Sequence, residues 1–255
     1  MIKLSAVIIT YNEERNIGRC IDSLNGIADE VFILDSFSND RTVEIAKAKG
    51  ARVAEHAFAG YIEQKNLATQ LAEFDHILSL DADEALDDAM RQSVLAAKQH
   101  WAADAYSFNR LTNYCGKWIR HCGWYPDRKL RLFDRRKCSW KGVNPHDRLE
   151  FDSAGSLSTH LDGDILHYSY YTIDEHRRQT ERFTTIAARA LFKKGKKDSV
   201  IKRFLSPVAK FLKDYIFNLG FLDGYYGWTI CRISAYATYL KYHKLSLMNR
   251  GKWHE

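Results

Sequence analysis

Apolar and polar positions alternate in a regular rhythm through the first hundred residues. Positions 4 to 10, mostly apolar in "LSAVIIT", read as a buried strand. Behind it Ile17, Cys20, Ile21 and Leu24 fall at helical spacing. Asn12 is placed to cap that helix, Glu13 and Glu14 suit its first turn, and Gly26 breaks it. "EVFILD" predicts a second strand, "SFSND" a loop, and "RTVEIAKAKG" a helix ended by Gly50. "ARVAEH" follows as a short third strand, "YIEQKNLATQLA" as a third helix and "HILSL" as a fourth strand. Strands and helices that alternate with short connections predict an α/β fold, a mostly parallel Rossmann-like sheet with helices on both faces. Ligands of such sheets bind beyond the carboxyl ends of the strands.

From about residue 104 the rhythm changes. "AYSFNRLTNY", "KLRLFDRR" and "DILHYSYY" alternate like strands, with aromatics and arginines crowded between them, and predict a partly antiparallel half. Further on, Ser206-Pro207 has the form of a helix start. Leu205, Val208, Leu212, Tyr215, Ile216, Leu219 and Leu222 would then share one face, with Lys210 and Lys213 off it. The expected organisation is one domain over 1–188, made of a regular half (1–100) and an irregular half (101–188) that supplies an acceptor pocket, and a basic amphipathic helical tail over 189–255.

Charge sharpens that division. The net charge of +6 over 255 residues is uneven: residues 189–255 hold 14 Lys+Arg against 4 Asp+Glu, whereas residues 1–188 hold 24 against 28. An apolar helical stripe beside lysines suits an anionic membrane surface. The rival reading is a helix packed on the catalytic domain with its lysines in water. No nucleic-acid motif accompanies the basic tail, so nucleic acid is not expected as a partner. No stretch is free enough of charge to span a bilayer cleanly, because Leu219 to Leu240 includes Asp223 and Arg232. Five cysteines without a CxxC argue against a disulfide scaffold or structural zinc, and the first apolar run ends too soon in polar residues for a secretory signal. The expected location is cytoplasmic, peripheral on the inner face of the cell membrane.

Three polar clusters close the predicted strands: Thr10-Tyr11-Asn12-Glu13, Asp35 to Asp40, and Asp81-Ala82-Asp83-Glu84. A parallel sheet places them on one rim. Three carboxylates within four residues repel one another, and a divalent cation, Mg2+ or Mn2+, would cancel them while gripping substrate phosphates. The bland alternative is that Asp81 caps the next helix and the others are solvated. The first turn has no GxGxxG and there is no Walker A loop, which disfavours a dinucleotide or P-loop site. A nucleotidyltransferase acting on sugar phosphates would carry a glycine-rich basic loop where this chain has the acidic "TYNEERNIG". A haloacid-dehalogenase-type phosphatase would carry its DxD on the first strand. A non-enzymatic membrane adaptor would explain the tail but not the rim.

Together "AVIITYNEE", "ILDSFSNDRT", "QKN" and "LDADE", with "RLFDRRKCSWKGVNPHDRL" after them, resemble family 2 glycosyltransferases of the GT-A fold. The tail, with "GFLDGYYGW" and "YLKYHKL", is similar to the lipopolysaccharide inner-core glucosyltransferase branch. The resemblance implies a metal-dependent inverting transfer of a sugar, with glucose the best guess, from a UDP-sugar to lipopolysaccharide core or another lipid-linked acceptor. It implies that Thr10, Tyr11 and Glu13 line base and ribose, that Asp35 accepts from the uracil, and that Lys65 and Asn66 lie near the nucleotide. Asp81 would meet ribose or metal, and Ala82 would join it in the nucleotide-sugar site. Asp83 would bind the metal, and His167 joins it as a ligand unless it is a satisfied core histidine. Asp147 is the expected catalytic base, Asp127 its runner-up. A salt bridge to Arg148 or Arg131 is the structural alternative for Asp147. Arg128, Lys129 and Arg131 are read either as phosphate contacts or as a solvated strand face. Trp118, Trp124, Tyr125 and Trp140 are read either as sugar-stacking rings or as core.

Overall fold

The computed structural model describes residues 1–143, 146–197 and 199–253, except the side chains of 143 and 146. The chain divides into two compact units: Met1–Leu111 with Asp127–Tyr168, and Thr112–Pro126 with Ser169–Glu255.

The first unit follows the expected alternation: β1 (Leu4–Thr10), α1 (Ile17–Ser23), β2 (Glu30–Asp35), α2 (Thr42–Ala48), β3 (Arg52–Glu55), α3 (Tyr61–Leu71), β4 (His76–Asp81), β5 (Glu84–Leu86) and α4 (Asp88–Gln99). Then come β6 (Ala105–Tyr114), β7 (Lys117–Ile119), β8 (Asp127–Asp134), β9 (Cys138–Val143), β10 (His146–Phe151) and β11 (Ser158–Tyr170). The last residues of β6, all of β7 and the end of β11 belong to the second unit. The main sheet runs β3-β2-β1-β4-β8-β6-β11-β5. β1, β2, β3 and β4 are mutually parallel, and β8 adds antiparallel to β4. β9 and β10 form a separate antiparallel hairpin.

Burial explains why this half of the fold is so legible. Ala6 and Ile8 join one apolar cluster with Ile17, Ile21, Met90 and Val94 of α1 and α4. Val7, between them, joins the other with Phe32 and with Ala68 of α3. A strand buried on both faces reads as a continuous apolar run, and each large side chain contributes about 1.5–3 kcal/mol. Gly163 lets β11 pass against the start of α4: at φ 107° a Cβ there would lie 2.1 Å from the Met90 amide nitrogen.

The second unit is helical: α5 (Ile173–Lys193), α6 (Val200–Leu212) and α7 (Gly224–Asn249), joined by a π turn over 213–217 and a 3-10 turn over 220–223. Thr172 and Glu175 form a reciprocal capping box at the start of α5. Tyr114, Ile119, Cys122, Ile230 and Cys231 make a small core of their own.

Three local readings are corrected. Asn12 does not cap α1. It sits at φ 55°, the helix starts at Ile17, and Glu13 and Glu14 precede it. Asn12 is bound elsewhere, its N–H donating to Ser38 Oγ (2.8 Å) and its Oδ1 accepting the Asn39 N–H (2.9 Å). The tail helix does not begin at Ser206-Pro207. It begins at Val200, where Ser199 accepts the Lys202 N–H, and Pro207 lies inside it. Val200, Ile201 and Phe204 extend the apolar stripe upstream, and that pattern overrides the local Ser-Pro signal. Nor is it one α-helix through Leu222, since the winding loosens to a π turn over 213–217 and Leu219 turns left-handed at φ 54°. The expected boundary at 188/189 lies within α5, and the two compact units meet in sequence at 168/169.

Candidate active site

The parallel register assembles the rim. Thr10 pairs with Asp35 across β1 and β2, and Ile9 pairs with Asp81 across β1 and β4, so three strands end together. The two outer loops are sewn to one another. The Ser36 N–H donates to Thr10 O (2.9 Å), the Glu13 N–H to Thr42 Oγ1 (2.7 Å), and Asp35 accepts the Ser38 N–H (2.7 Å) and hydroxyl (2.5 Å). Tyr11 and Phe37 stand exposed on these loops. The Glu13 carboxyl accepts from Asn16 (2.8 Å). Burial, with Asp83, Asp40 and Asp81 adding to it against the Asn16 bond, pushes its pKa up to about 6.

The repulsion among 81, 83 and 84 is resolved differently from the expectation. Asp81 and Glu84 are neutralised by the protein's own cations, so a metal is not needed for either. Asp81 takes Lys65 at 3.0 Å on one oxygen and Arg131 at 3.0 Å on the other. Burial would raise the Asp81 pKa, but Lys65 and Arg131 override it and hold it well below the usual carboxylate range. Glu84, fully buried, takes Arg131 at 2.9 Å and Arg110 at 3.5 Å and accepts the Asp81 N–H. Nor does Asp81 cap a helix. Asp87 caps α4, accepting the Met90 N–H at 2.7 Å. The network extends both ways: Lys65 also holds Asp147 at 2.8 Å, and Arg110 holds Asp127 at 2.7 Å. Signs alternate along a chain of contacts from Asp147 through Lys65, Asp81, Arg131, Glu84 and Arg110 to Asp127.

Arg131 reaches the middle of that chain because of a bulge. Tyr106 pairs with Leu132 and Ser107 with Leu130, so Arg131 is the extra residue of β8. A bulge re-aims the side chain it carries. Arg131 is accordingly buried at 3% exposure rather than lying on a solvated face. Lys129 pairs with Asp127 at 3.0 Å. Trp140 is buried against this network, with Lys65 Nζ 4.5 Å from its ring centroid. Both amide functions of Asn66 are engaged by the Trp140 backbone at 2.9 Å, which fixes β9 to α3. Trp124 lies instead in an aromatic cluster of the second unit with Tyr114 and Tyr170.

Asp83 is left outside the network, and His167 faces it, Nε2 to Oδ2 at 3.2 Å. β5 and β11 bring them together: Glu84 pairs with His167 in register, and the Tyr168 N–H donates to Asp83 O at 2.9 Å. Several buried polar atoms around the rim have no partner: Thr10 Oγ1, Arg131 Nε, Trp140 Nε1 and His167 Nδ1. A buried polar group left so in a native fold calls for a reason, such as a water, an ion or a catalytic role. Among the described residues no cluster of three or more His, Cys, Asp or Glu has the geometry to hold a metal. One carboxylate and one imidazole do fit a divalent cation that takes its remaining ligands from phosphate and water. Asp147 is paired with Lys65, not with Arg148, which bonds Glu150. Asp127 is held by Arg110 and Lys129; burial raises its pKa, and those two cations bring it below the ordinary value.

The hub residues Glu84 and Arg110 escaped sequence reading. Glu84 showed only as a third carboxylate, and nothing in "AYSFNRLTNY" marks Arg110 as its partner. The available signal was an excess of arginine in two strands, which becomes specific only once the strands are paired.

Known proteins are similar to this chain over most of its length. An uncharacterized glycosyltransferase of Rickettsia typhi is 31% identical over 98% of this chain and 90% of its own. The lipopolysaccharide core biosynthesis glycosyltransferase LpsC of Rhizobium meliloti is 28% identical over 85% of this chain and 82% of its own. Among solved structures, residues 1–349 of S. aureus TarS in complex with UDP align with all of this chain and 93% of that one, at 13% identity and a TM-score of 0.48. Glucosyl-3-phosphoglycerate synthase of Mycobacterium tuberculosis, crystallised with Mn2+, UDP and glucosyl-3-phosphoglycerate, is 26% identical over 44% of each chain, at a TM-score of 0.36. The chain thus spans less than half of that solved chain but about nine tenths of the Rickettsia relative. The family model for glycosyl transferase family 2 matches residues 5–154, which takes in the rim, the arginine bulge and Asp147, and with the full-length Rickettsia match it means that this chain belongs to glycosyl transferase family 2.

Proposed function

We propose that this glycosyltransferase moves a hexose, glucose first among the candidates, from a UDP-sugar to a saccharide on a lipid anchor, lipopolysaccharide core being the best match. The transfer would invert the anomeric centre and would use Mg2+ or Mn2+. The observation that carries the reading is Asp83 beside His167 on a rim where the neighbouring carboxylates, Asp81 and Glu84, are already neutralised by Lys65, Arg131 and Arg110. Asp83 and His167 would hold the cation, which when bound supplies positive charge against the departing diphosphate. Thr10, Tyr11 and Glu13 would line base and ribose, with Asp35 accepting from the base. Lys65, which holds Asp147 at 2.8 Å, would meet a phosphate and orient that carboxylate. Asp147 would take the proton of the acceptor hydroxyl as its oxygen bonds to the anomeric carbon and the carbon–oxygen bond to the diphosphate breaks, releasing UDP.

The lipid-linked acceptor draws support from the similarity to the Rhizobium protein and from the second unit. No residue of α6 is buried, and Val200, Ile201, Phe204, Leu205 and Val208 are all exposed. Eight Lys and Arg lie between 193 and 213. An uncovered apolar face ringed by cations suits an anionic membrane surface. No helix among the described residues is long and apolar enough to cross a membrane. The enzyme would therefore sit peripherally, on the cytoplasmic face where nucleotide sugars are supplied. The test is a panel of nucleotide sugars incubated with Mg2+ or Mn2+ and no acceptor. Slow hydrolysis of one UDP-sugar, UDP-glucose first, is expected; cleavage confined to donors with other bases would overturn the donor.

A further inference from the structure

A cavity of about 640 Å3 lies wholly within the second unit, between α5 and α7 with Phe211 of α6 at one wall. That volume suits a small organic ligand. Tyr225, Trp228, Thr229, Arg232 and Tyr236 line it from α7 at spacings of three and four residues, so one face of that helix is given to it. The aromatic side is built: Phe211 and Trp228 meet edge to face at 5.2 Å. The charge is unbalanced. Arg177, Arg178 and Arg232 line the cavity with a single carboxylate, Glu181. Glu181 is already taken by Lys244 at 2.9 Å, and Arg177 by Asp174 at 3.0 Å. Arg178 and Arg232 have no acidic or carbonyl partner among the described residues, and Arg232 stands 5.8 Å over the Trp228 ring. Guanidinium groups match phosphate oxygens in a two-bond fork, and the aromatic walls beside them have no use for a bare, hydrated anion.

We infer that this cavity binds one anionic amphiphile from the membrane, its phosphate engaged by Arg178 and Arg232 and the adjoining hydrocarbon laid against Phe211, Trp228 and Tyr236. The inference rests on the membrane-facing reading of the second unit and adds to it a discrete, saturable lipid site. Arg178 and Arg232 are exposed and, among the described residues, without an acidic or carbonyl partner, so replacing them should leave the packing of α5 and α7 intact.

The experiment is calorimetric titration of the full chain with dihexanoyl phosphatidylglycerol below its micelle concentration. One saturable site is expected, weakened at least tenfold by Arg178→Gln with Arg232→Gln and lost in Ala235→Phe, which fills the cavity. Inorganic phosphate and octyl glucoside should each bind at least tenfold more weakly than the lipid. The inference is overturned if no saturable uptake occurs, or if the double variant with an unchanged unfolding temperature binds as the wild type does. It is equally overturned if inorganic phosphate binds as tightly, which would leave an anion site only, or if octyl glucoside does, which would leave an apolar crevice only. Co-sedimentation with phosphatidylglycerol vesicles separates the two readings. Protein that sediments yet takes up no monomeric lipid removes the cavity and keeps the membrane surface. Protein that takes up monomeric lipid without sedimenting supports the cavity and removes the surface.

Discussion

Asp147 and Asp127 sit at opposite ends of one ion network, and their surroundings differ. Asp147 contacts Lys65, which also touches Asp81 at the strand ends, whereas Asp127 is clamped between Arg110 and Lys129. Asp147→Asn should lower turnover by roughly 10²–10⁴-fold, the span of a lost general base, while UDP-sugar binding persists. Steady-state kinetics beside calorimetry reads both, and a larger loss in Asp127→Asn would exchange the two assignments. Glu84 is expected to matter for stability. Glu84→Gln leaves Arg131 and Arg110 in the interior without their shared carboxylate, and breaking a buried pair costs about 3–5 kcal/mol. Thermal unfolding should show a drop of roughly 6–20 °C; a drop under 2 °C would mean that the network is solvated.

At the scale of elements, what could be read from the chain follows from how locally each feature is determined. β1, β2, β4 and the helices between them are set by apolar periods within a dozen residues, and they form as expected. The Arg131 bulge depends on the register of β8 against β6, more than twenty residues away, and strand alternation alone reads the residue as solvated. Asn12 looks like a cap by local rule, yet the approach of the 36–40 loop puts it to other use. The rim residues were legible because parallel strands end together; which of them are neutralised was not, because the cations that pair with Asp81 and Glu84 lie 16 to 50 residues away along the chain. For α6 the apolar stripe and the lysines beside it carry the membrane reading. Lys193, Lys194, Lys196 and Lys197 replaced together by Gln should weaken binding to anionic vesicles by about a thousandfold, at about 1 kcal/mol each. Sedimentation at low and high salt checks this, and a salt-independent partition equal to that of the wild type would exclude an electrostatic contribution.

For the molecule as a whole, the two units have separate cores and separate vulnerabilities. The second unit holds His176, whose Nδ1 meets the Tyr114 hydroxyl at 3.0 Å and whose pKa burial pushes down to about 4 from 6.5. Between those values the unfolded chain binds a proton that the native state refuses. Stability should therefore fall as pH drops from 6.5 toward 4, by up to about 3 kcal/mol, and this contribution is constant above pH 7. Denaturant unfolding across that window should show the slope, and His176→Phe should flatten it. In the proposed reading the first unit carries the reaction, with Asp83 and His167 holding a cation that in turn holds a sugar nucleotide. The most direct measurement is calorimetric binding of UDP with and without Mn2+, in the wild type and in Asp83→Ala. Binding that is at least tenfold tighter with Mn2+, and loses that gain in Asp83→Ala, is expected. UDP binding that is indifferent to Mn2+ and Mg2+, or a gain that survives in folded Asp83→Ala, would contradict it.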